Sequence, residues 1–324
     1  MNKKENFQNL LALKEYDHQP LYNELRRFGP EDFGDWKARG FVFQQAPFDK
    51  KNYGGKGWFG VDWFYEEEVG GSMDQGRTMD DISEWKEKVK FDDLDAIDWE
   101  GIAKKNADYL NQPNCLWHTT LYSGYFERLI SLMDFEDAIM TLADPDQEDD
   151  LNEFFTKLTD FYIDLVTRLH KYFNIGMIEF HDDWGSQRAP LFSPDIVKEK
   201  ILPHMRRLID HCHSLGMYFQ LHSCGFIEAL VPLMIEAGID TWIGQDVNDK
   251  KKLVDMYGDK FAFGVIIKPT KGRTYDEIMA ETKELMDVYK GKRVYFFAVP
   301  VGLPVEVRPI CAKVFSDLGD GKYN

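Results

Sequence analysis

Cysteine is scarce and scattered. Cys115, Cys212, Cys224 and Cys311 are the only four in 324 residues, and no two stand close enough for a Cys-x-x-Cys pair. That usage argues against a disulfide framework and fits free thiols in a reducing compartment. Long hydrophobic runs are missing as well; none approaches the roughly 18 apolar residues of a membrane span, so no membrane partner is expected. The opening "MNKKENFQNLLALKEYDHQP" has no long apolar region with a small-residue cleavage site, so a cytoplasmic protein is expected. Positive charge is in deficit, with 39 Lys and Arg against 56 Asp and Glu and a formal net charge of −17. Such a chain repels a phosphate backbone, and nucleic acid is not an expected partner. Clusters such as "DPDQEDDLNEF" read as a solvated surface or as a docking face for a basic partner. Glycine-rich phosphate loops and the dinucleotide fingerprint are also absent, which weighs against an open nucleotide-binding sheet.

What is present is a globular composition, 44% hydrophobic and 15% aromatic. Residues 1 to 100 are rich in Gly, Trp and acidic residues, with short segments such as "FVFQQAP" and "WFGVDWFYEEE", and read as an irregular N-terminal extension or cap. From about residue 114 short β-branched or aromatic runs alternate with amphipathic stretches, the rhythm of βα units. Strands are expected at 115–121, 176–182, 217–222, 239–243, 261–266 and 294–299. "SPDIVKEKILPHMRRLIDHCHSLG" carries a Ser cap, Pro at its first helical position and a Gly stop. The whole predicts one α/β domain over 1–324, a (β/α)8 TIM barrel with an irregular N-terminal extension and its main βα repeats over 101–324. An open doubly wound sheet is the alternative.

In such barrels the chemistry sits at the C-terminal ends of the strands. In "GMIEFHDDWGSQ" strand alternation puts Glu179, His181 and Asp183 on one side and Ile178, Phe180 and Asp182 on the other. Inward-facing charge is costly unless the groups bind something or one another; an internal salt-bridge network is the bland alternative. "YFQLHSCGFIEAL" delivers His222 and Cys224, two apart and on one face, to the same rim. Zinc takes imidazole nitrogen and thiolate sulfur, so His222, Cys224 and Glu179 are the expected metal ligands; an ordinary histidine beside a buried cysteine is the other reading. Asp183 and His181 are then the expected catalytic groups. His211, Cys212 and His213 fall inside a helix and read as its surface and core. Cys311 falls on an apolar helical stripe and should face the core. Trp184, Gln187, Gln245, Tyr122 and Arg128 are the candidate substrate-binding residues, with Arg128 either holding an anionic group or pairing with a helix carboxylate.

Through "GYFERLISLMDFEDAIMTLADP", "HDDWGSQRAPLFSPDIVKEKILPHMRRLIDHCHSLGM", "LHSCGFIEALVPLMIEAGIDTW" and "GQDVNDK" the chain resembles the uroporphyrinogen decarboxylase superfamily, and within it the corrinoid-linked methyltransferases. The resemblance implies a (β/α)8 barrel and, at His222 and Cys224, zinc. Those methyltransferases take a further cysteine from the last strand's loop, which "YFFAVPVGLP" lacks. The arginine-rich motif of true uroporphyrinogen decarboxylases is also missing, "LYNELRRFG" offering only Arg26 and Arg27. The nearer likeness is to the substrate-demethylating component of bacterial O-demethylases. It implies methyl transfer from a small methoxylated, aryl methyl ether-like donor to a corrinoid protein. No Asp-x-His-x-x-Gly cobalamin signature occurs, so the corrinoid is expected on a separate partner. A cofactor-independent decarboxylase and a non-catalytic small-molecule-binding barrel are the alternatives.

Overall fold

The computed structural model describes residues 1–21, 24–30, 32–39, 53–66, 71–112, 114–269, 271–298 and 304–319. Its strands are β1 (Leu25–Arg27), β2 (Gly55–Lys56), β3 (Asp62–Glu66), β4 (Gly71–Gln75), β5 (Leu116–Leu121), β6 (Met177–His181), β7 (Tyr218–His222), β8 (Thr241–Ile243), β9 (Ala262–Ile266) and β10 (Val294–Phe297). The chain is mixed α/β, and all six strands expected from the βα rhythm are found. The last ends at Phe297, two residues short of the expected 299, which lies outside the described residues, as does "FVFQQAP". The fold gathers into two compact units. One comprises Met1–Arg26, Pro113–Leu116 and Asp240–Asn324, the other Arg27–Gln112 and Trp117–Ile239.

In the second unit β5, β6 and β7 pair in parallel and in chain order. Parallel strands are covered on both faces, which is why "LWHTTL", "MIEFH" and "YFQLH" bury nearly every residue. One face carries Ile178, Phe180, Phe219 and Leu221, all fully buried, with the Phe180 and Phe219 rings 5.4 Å apart. The other carries Glu179 opposite Gln220 and His181 opposite His222. A 26-residue helix, Glu148–Phe173, packs against Leu202–Ser214. The acidic run "EDD" that starts the longer helix occupies its first turn, where carboxylates complement the N-terminal end of the dipole; this gives the cluster a local role. Ser193 and Pro194 start the next helix as expected, but residues Val197–Ile201 form a wider π turn. Pro203, which has no N–H to give to residue 199, accounts for the interruption. His211, Cys212 and His213 fall on that helix's flank, core and surface, with only Cys212 fully buried.

The extension is more ordered than its composition suggests. In the second unit β2, β3 and β4 form an antiparallel sheet that buries Trp63 and leaves the cross-strand pair Phe64 and Met73 exposed. In the first unit "KKENFQNLL" is a helix, Lys3–Leu11, capped by the Asn2 side chain. It places Phe7 against Tyr295 with ring centroids 5.1 Å apart. There β8, β9 and β10 pair in parallel, and Thr274 with Glu277 closes a capping box on the helix Tyr275–Val288. Cys311 is buried in the helix Arg308–Gly319, as its apolar stripe requires, and burial pushes its thiol up. No helix among the described residues is long and apolar enough to cross a membrane.

Candidate metal centre

The in-register pairing of β6 with β7 sets His181 beside His222, and their imidazoles stack with centroids 4.1 Å apart and planes 16° apart. At these strand ends, ligand atoms of His181, His222 and, two residues beyond His181, Asp183 lie within 4.8 Å of one another. Cys224 lies beside this trio, its Sγ 3.5 Å from His222 Nε2 and its backbone N–H donating to Asp183 Oδ1 at 2.6 Å. Donors around one zinc sit at about 2.0–2.3 Å from it, hence no more than about 4.6 Å apart, so a small side-chain rotation closes the cluster on an ion. Two imidazoles and a carboxylate, with a thiol next to them, are donors that zinc accepts.

Two glycines let the two loops meet. A Cβ on Gly225, whose φ is +83°, would lie 2.1 Å from the backbone carbonyl carbon of Gly185. The "HDDWG" and "LHSCG" glycines are thus in backbone contact, fastened by the Phe226 N–H to the Ser186 carbonyl at 2.7 Å and the Trp184 N–H to Ser223 Oγ at 2.9 Å.

A carboxylate from a third element completes the surroundings. Glu127 is in the first turn of the helix Phe126–Met133, which follows β5, and its Oε1 lies 2.9 Å from His181 Nδ1. Asp182, fully buried on the opposite side of the chain from His181, accepts the backbone N–H of Phe126 at 3.3 Å and of Glu127 at 2.9 Å, together with Trp184 Nε1 at 2.9 Å. It therefore pins the helix start that aims Glu127. Burial, reinforced by Glu127, lifts the Asp182 carboxyl to about 7 in spite of those donors. Burial alone would lower His181, but the Glu127 charge and hydrogen bond lift it to about 9. Burial and the neighbouring His181 charge hold His222 down at about 3. Burial and the nearby Glu127 charge raise Asp183. Of the two stacked rings, then, His222 is the one kept neutral.

Beside this cluster stands a cation. The Arg39 guanidinium lies 4.3 Å from the Trp63 ring centroid and 5.3 Å from that of Tyr122, and it bonds to Ser123 Oγ. The Tyr122 ring is in turn 6.1 Å from that of His181. Arg39 Nε is buried with no acceptor among the described residues, and burial pulls the guanidinium below its ordinary range, with Glu127 and Asp35 offsetting this only in part.

Several expected roles change. Glu179, the expected third zinc ligand, does not belong to the cluster. Its carboxylate accepts from Arg27 at 2.9 and 3.1 Å, from Thr120 Oγ1 at 3.0 Å and from Gln220 Nε2 at 2.6 Å, one layer below His181, so its lone pairs are already taken. Arg128 does not reach the mouth. It is fully buried against Asp35 at 2.8 Å and the Tyr122 carbonyl at 3.1 Å, which leaves no face for a ligand. Trp184 is fully buried with its N–H on Asp182, so it supports the loop and does not wall a pocket. His181, Asp183 and His222 come together, Cys224 lies beside His222, and the Tyr122 ring flanks His181. Gln187 is exposed on the loop after Asp183, and Gln245 lies in the other unit, on the loop after β8.

Sequence reading missed Glu127 and Arg39. A helix that follows a barrel-type strand starts at the same rim as the strand end, so its first turn was the signal for Glu127. Choosing the neighbouring Arg128 selects a side chain about 100° further round the helix. Arg39 carried no signal of its own, because only the tertiary fold sets it between Trp63 and Tyr122.

No curated protein matches the chain in sequence. Solved structures resemble it only in part. D-psicose 3-epimerase in the presence of D-fructose is 12% identical over 68% of this chain and 80% of that one, with a TM-score of 0.37. A xylose isomerase-like TIM barrel protein from Mycobacterium smegmatis, in complex with magnesium, is 15% identical over 70% and 79%, with a TM-score of 0.35. Xanthomonas albilineans dihydropteroate synthase with 4-aminobenzoic acid is 12% identical over 48% of this chain, with a TM-score of 0.33, and the chain spans 60% of that enzyme's length. The uroporphyrinogen decarboxylase (URO-D) family, in contrast, matches residues 126–320, more than half of the chain and every residue of the metal-type cluster. The chain therefore belongs to the uroporphyrinogen decarboxylase family.

Proposed function

We propose that this chain is a zinc-dependent methyltransferase. In this reading it moves a methyl group from a small methoxylated, aryl methyl ether-like substrate to a separate corrinoid protein, and its fold is the closed (β/α)8 barrel expected from the βα order. The observation that carries the reading is the convergence of His181, Asp183 and His222 donors within 4.8 Å, with the Cys224 sulfur 3.5 Å from His222. These four residues would hold the ion, with Cys311 and Glu179 playing no part. Zinc bound there supplies a Lewis acid for the ether oxygen, whose phenolate is otherwise a poor leaving group. In the transfer the methyl–oxygen bond breaks with its electron pair left on oxygen. The new bond to the methyl carbon takes its pair from the partner's Co(I), and the departing oxygen takes up a proton.

A second reading rests on Arg39. A half-buried guanidinium without a carboxylate partner among the described residues, one ring away from His181, suits a carboxylated substrate, as a cofactor-independent decarboxylase needs. Metal analysis of the purified protein, followed by mixing with a Co(I) corrinoid protein and a panel of aryl methyl ethers, separates the readings. Stoichiometric zinc and methyl-Co(III) formation are expected. A metal-free protein that releases carbon dioxide from an aromatic acid would replace the first reading by the second, and a chain inert in both assays that still binds aromatic ligands would be a binding barrel.

A further inference from the structure

We infer that Glu127 is a positioning residue: it dictates which ring nitrogen of His181 is offered to the metal. The inference rests on the metal-centre reading above and adds to it a residue that no donor cluster would reveal. A neutral imidazole has one N–H and one lone pair, and an ionised carboxylate only accepts. With Glu127 Oε1 at 2.9 Å and Oε2 at 3.1 Å from Nδ1, the proton held on Nδ1 is the one that stays when a metal displaces the other, which leaves the lone pair on Nε2. The carboxylate is itself fixed from two sides. Asp182 holds the Glu127 backbone N–H at 2.9 Å, and the Asp183 N–H donates to Glu127 Oε1 at 3.2 Å. The ring cannot swing away freely, because it lies flat on His222 at 4.1 Å. A ligand residue, Asp183, and the orienter of a ligand ring thus share one hydrogen bond, and Glu127 sets the geometry of both.

Imidazoles that bind metals commonly donate their other N–H to a carboxylate, and removing that partner weakens metal binding about 10–100-fold. The test is zinc affinity, measured by competition with a chromophoric chelator, for the full-length wild type, Glu127→Ala and Glu127→Gln, each first shown to melt cooperatively. Glu127→Ala should bind zinc about 10–100-fold more weakly. Glu127→Gln, whose amide oxygen still accepts from Nδ1–H, should recover most of the loss. In zinc-loaded protein labelled with 15N-histidine, His181 should carry its proton on Nδ1 and the metal on Nε2. Zinc on Nδ1, an unchanged affinity in folded Glu127→Ala, or a Gln variant as weak as Ala would each overturn the positioning role while leaving the metal centre standing. A wild-type chain that takes up no zinc at all would instead undo the metal-centre reading itself.

Discussion

Removing Asp35 tests how the cap holds the site together. Asp35 and Arg128 form an ion pair at 2.8 Å with side chains only 3% and 0% exposed, and Asp35 also accepts the Trp58 N–H at 2.6 Å. Asp35→Ala leaves a guanidinium in the interior with the Tyr122 carbonyl, the Ser131 hydroxyl and the face of Phe59 for company. Breaking one side of a buried pair in this way costs about 3–5 kcal/mol, because the remaining charge has neither water nor an opposite charge to compensate it. At about 2.1 cal/mol/K per residue, that loss in a chain of 324 residues corresponds to a fall in Tm of about 4–7 °C. Arg128→Met keeps the apolar stem and strands the carboxylate instead, at a similar cost. The double variant removes both charges and should regain at least about 2 kcal/mol over the sum of the singles, the sign of direct coupling. Thermal melts of the four proteins complete the cycle. Singles costing under about 1 kcal/mol, or strictly additive losses, would refute the pair as a structural clamp. A folded Arg128→Met with a raised KM and an unchanged melt would restore Arg128 to substrate binding.

Other outcomes follow from particular contacts. Gly225→Ala should weaken zinc binding by more than tenfold, because the added carbon strikes the Gly185 backbone and forces apart the loops that carry Asp183 and Cys224; equal affinity, again by chelator competition, would show that the loops adapt. Glu179→Gln should retain stoichiometric zinc yet lose about 1–3 kcal/mol in urea unfolding, since Arg27 loses its charged acceptor; loss of metal would return Glu179 to the ligand set. Cys311→Ser should likewise keep its zinc, and elemental analysis decides. His18 lies 3.1 Å from the buried Glu24, whose hydrogen bond raises the imidazole above its ordinary value of 6.5. A raised pKa in the folded state means that the pair stabilises fully below 6.5 and ceases to do so as pH rises through the raised value. The Tm gap between wild type and His18→Gln should therefore be widest in acid and close towards alkaline pH; a gap that widens upward would reverse the assignment.

Strand positions were legible because alternating βα segments leave a strong periodic trace, and period-two alternation put Glu179 and His181 on one face, which the structure sets beside Gln220 and His222. It did not say how deep each residue sits. Two residues separate Glu179 from His181, and that step moves a carboxylate from the rim to a closed layer already claimed by Arg27, Thr120 and Gln220. His222 and Cys224 were readable as a pair from spacing alone. Their company was less so: Glu127 comes from a helix 95 positions before His222 in the chain, and Arg39 from a cap whose composition gave no period. Arg128 illustrates the converse error, in which a charged residue near a motif was credited with a ligand when a buried aspartate 93 residues earlier had already claimed it. The extension looked irregular because its elements are short, and short elements are held by tertiary contacts such as Phe7 on Tyr295 more than by their own propensity.

The meeting of Gly185 with Gly225 bears on motion. Two backbones in contact without side chains between them, and tied by the Phe226 and Trp184 amides, have no soft layer in which to slip. The segments bearing Asp183 and Cys224 must then open and close together, as one cooperative unit. Their amide protons should trade with solvent at a common rate, and a ligand gripping either segment would slow exchange in both.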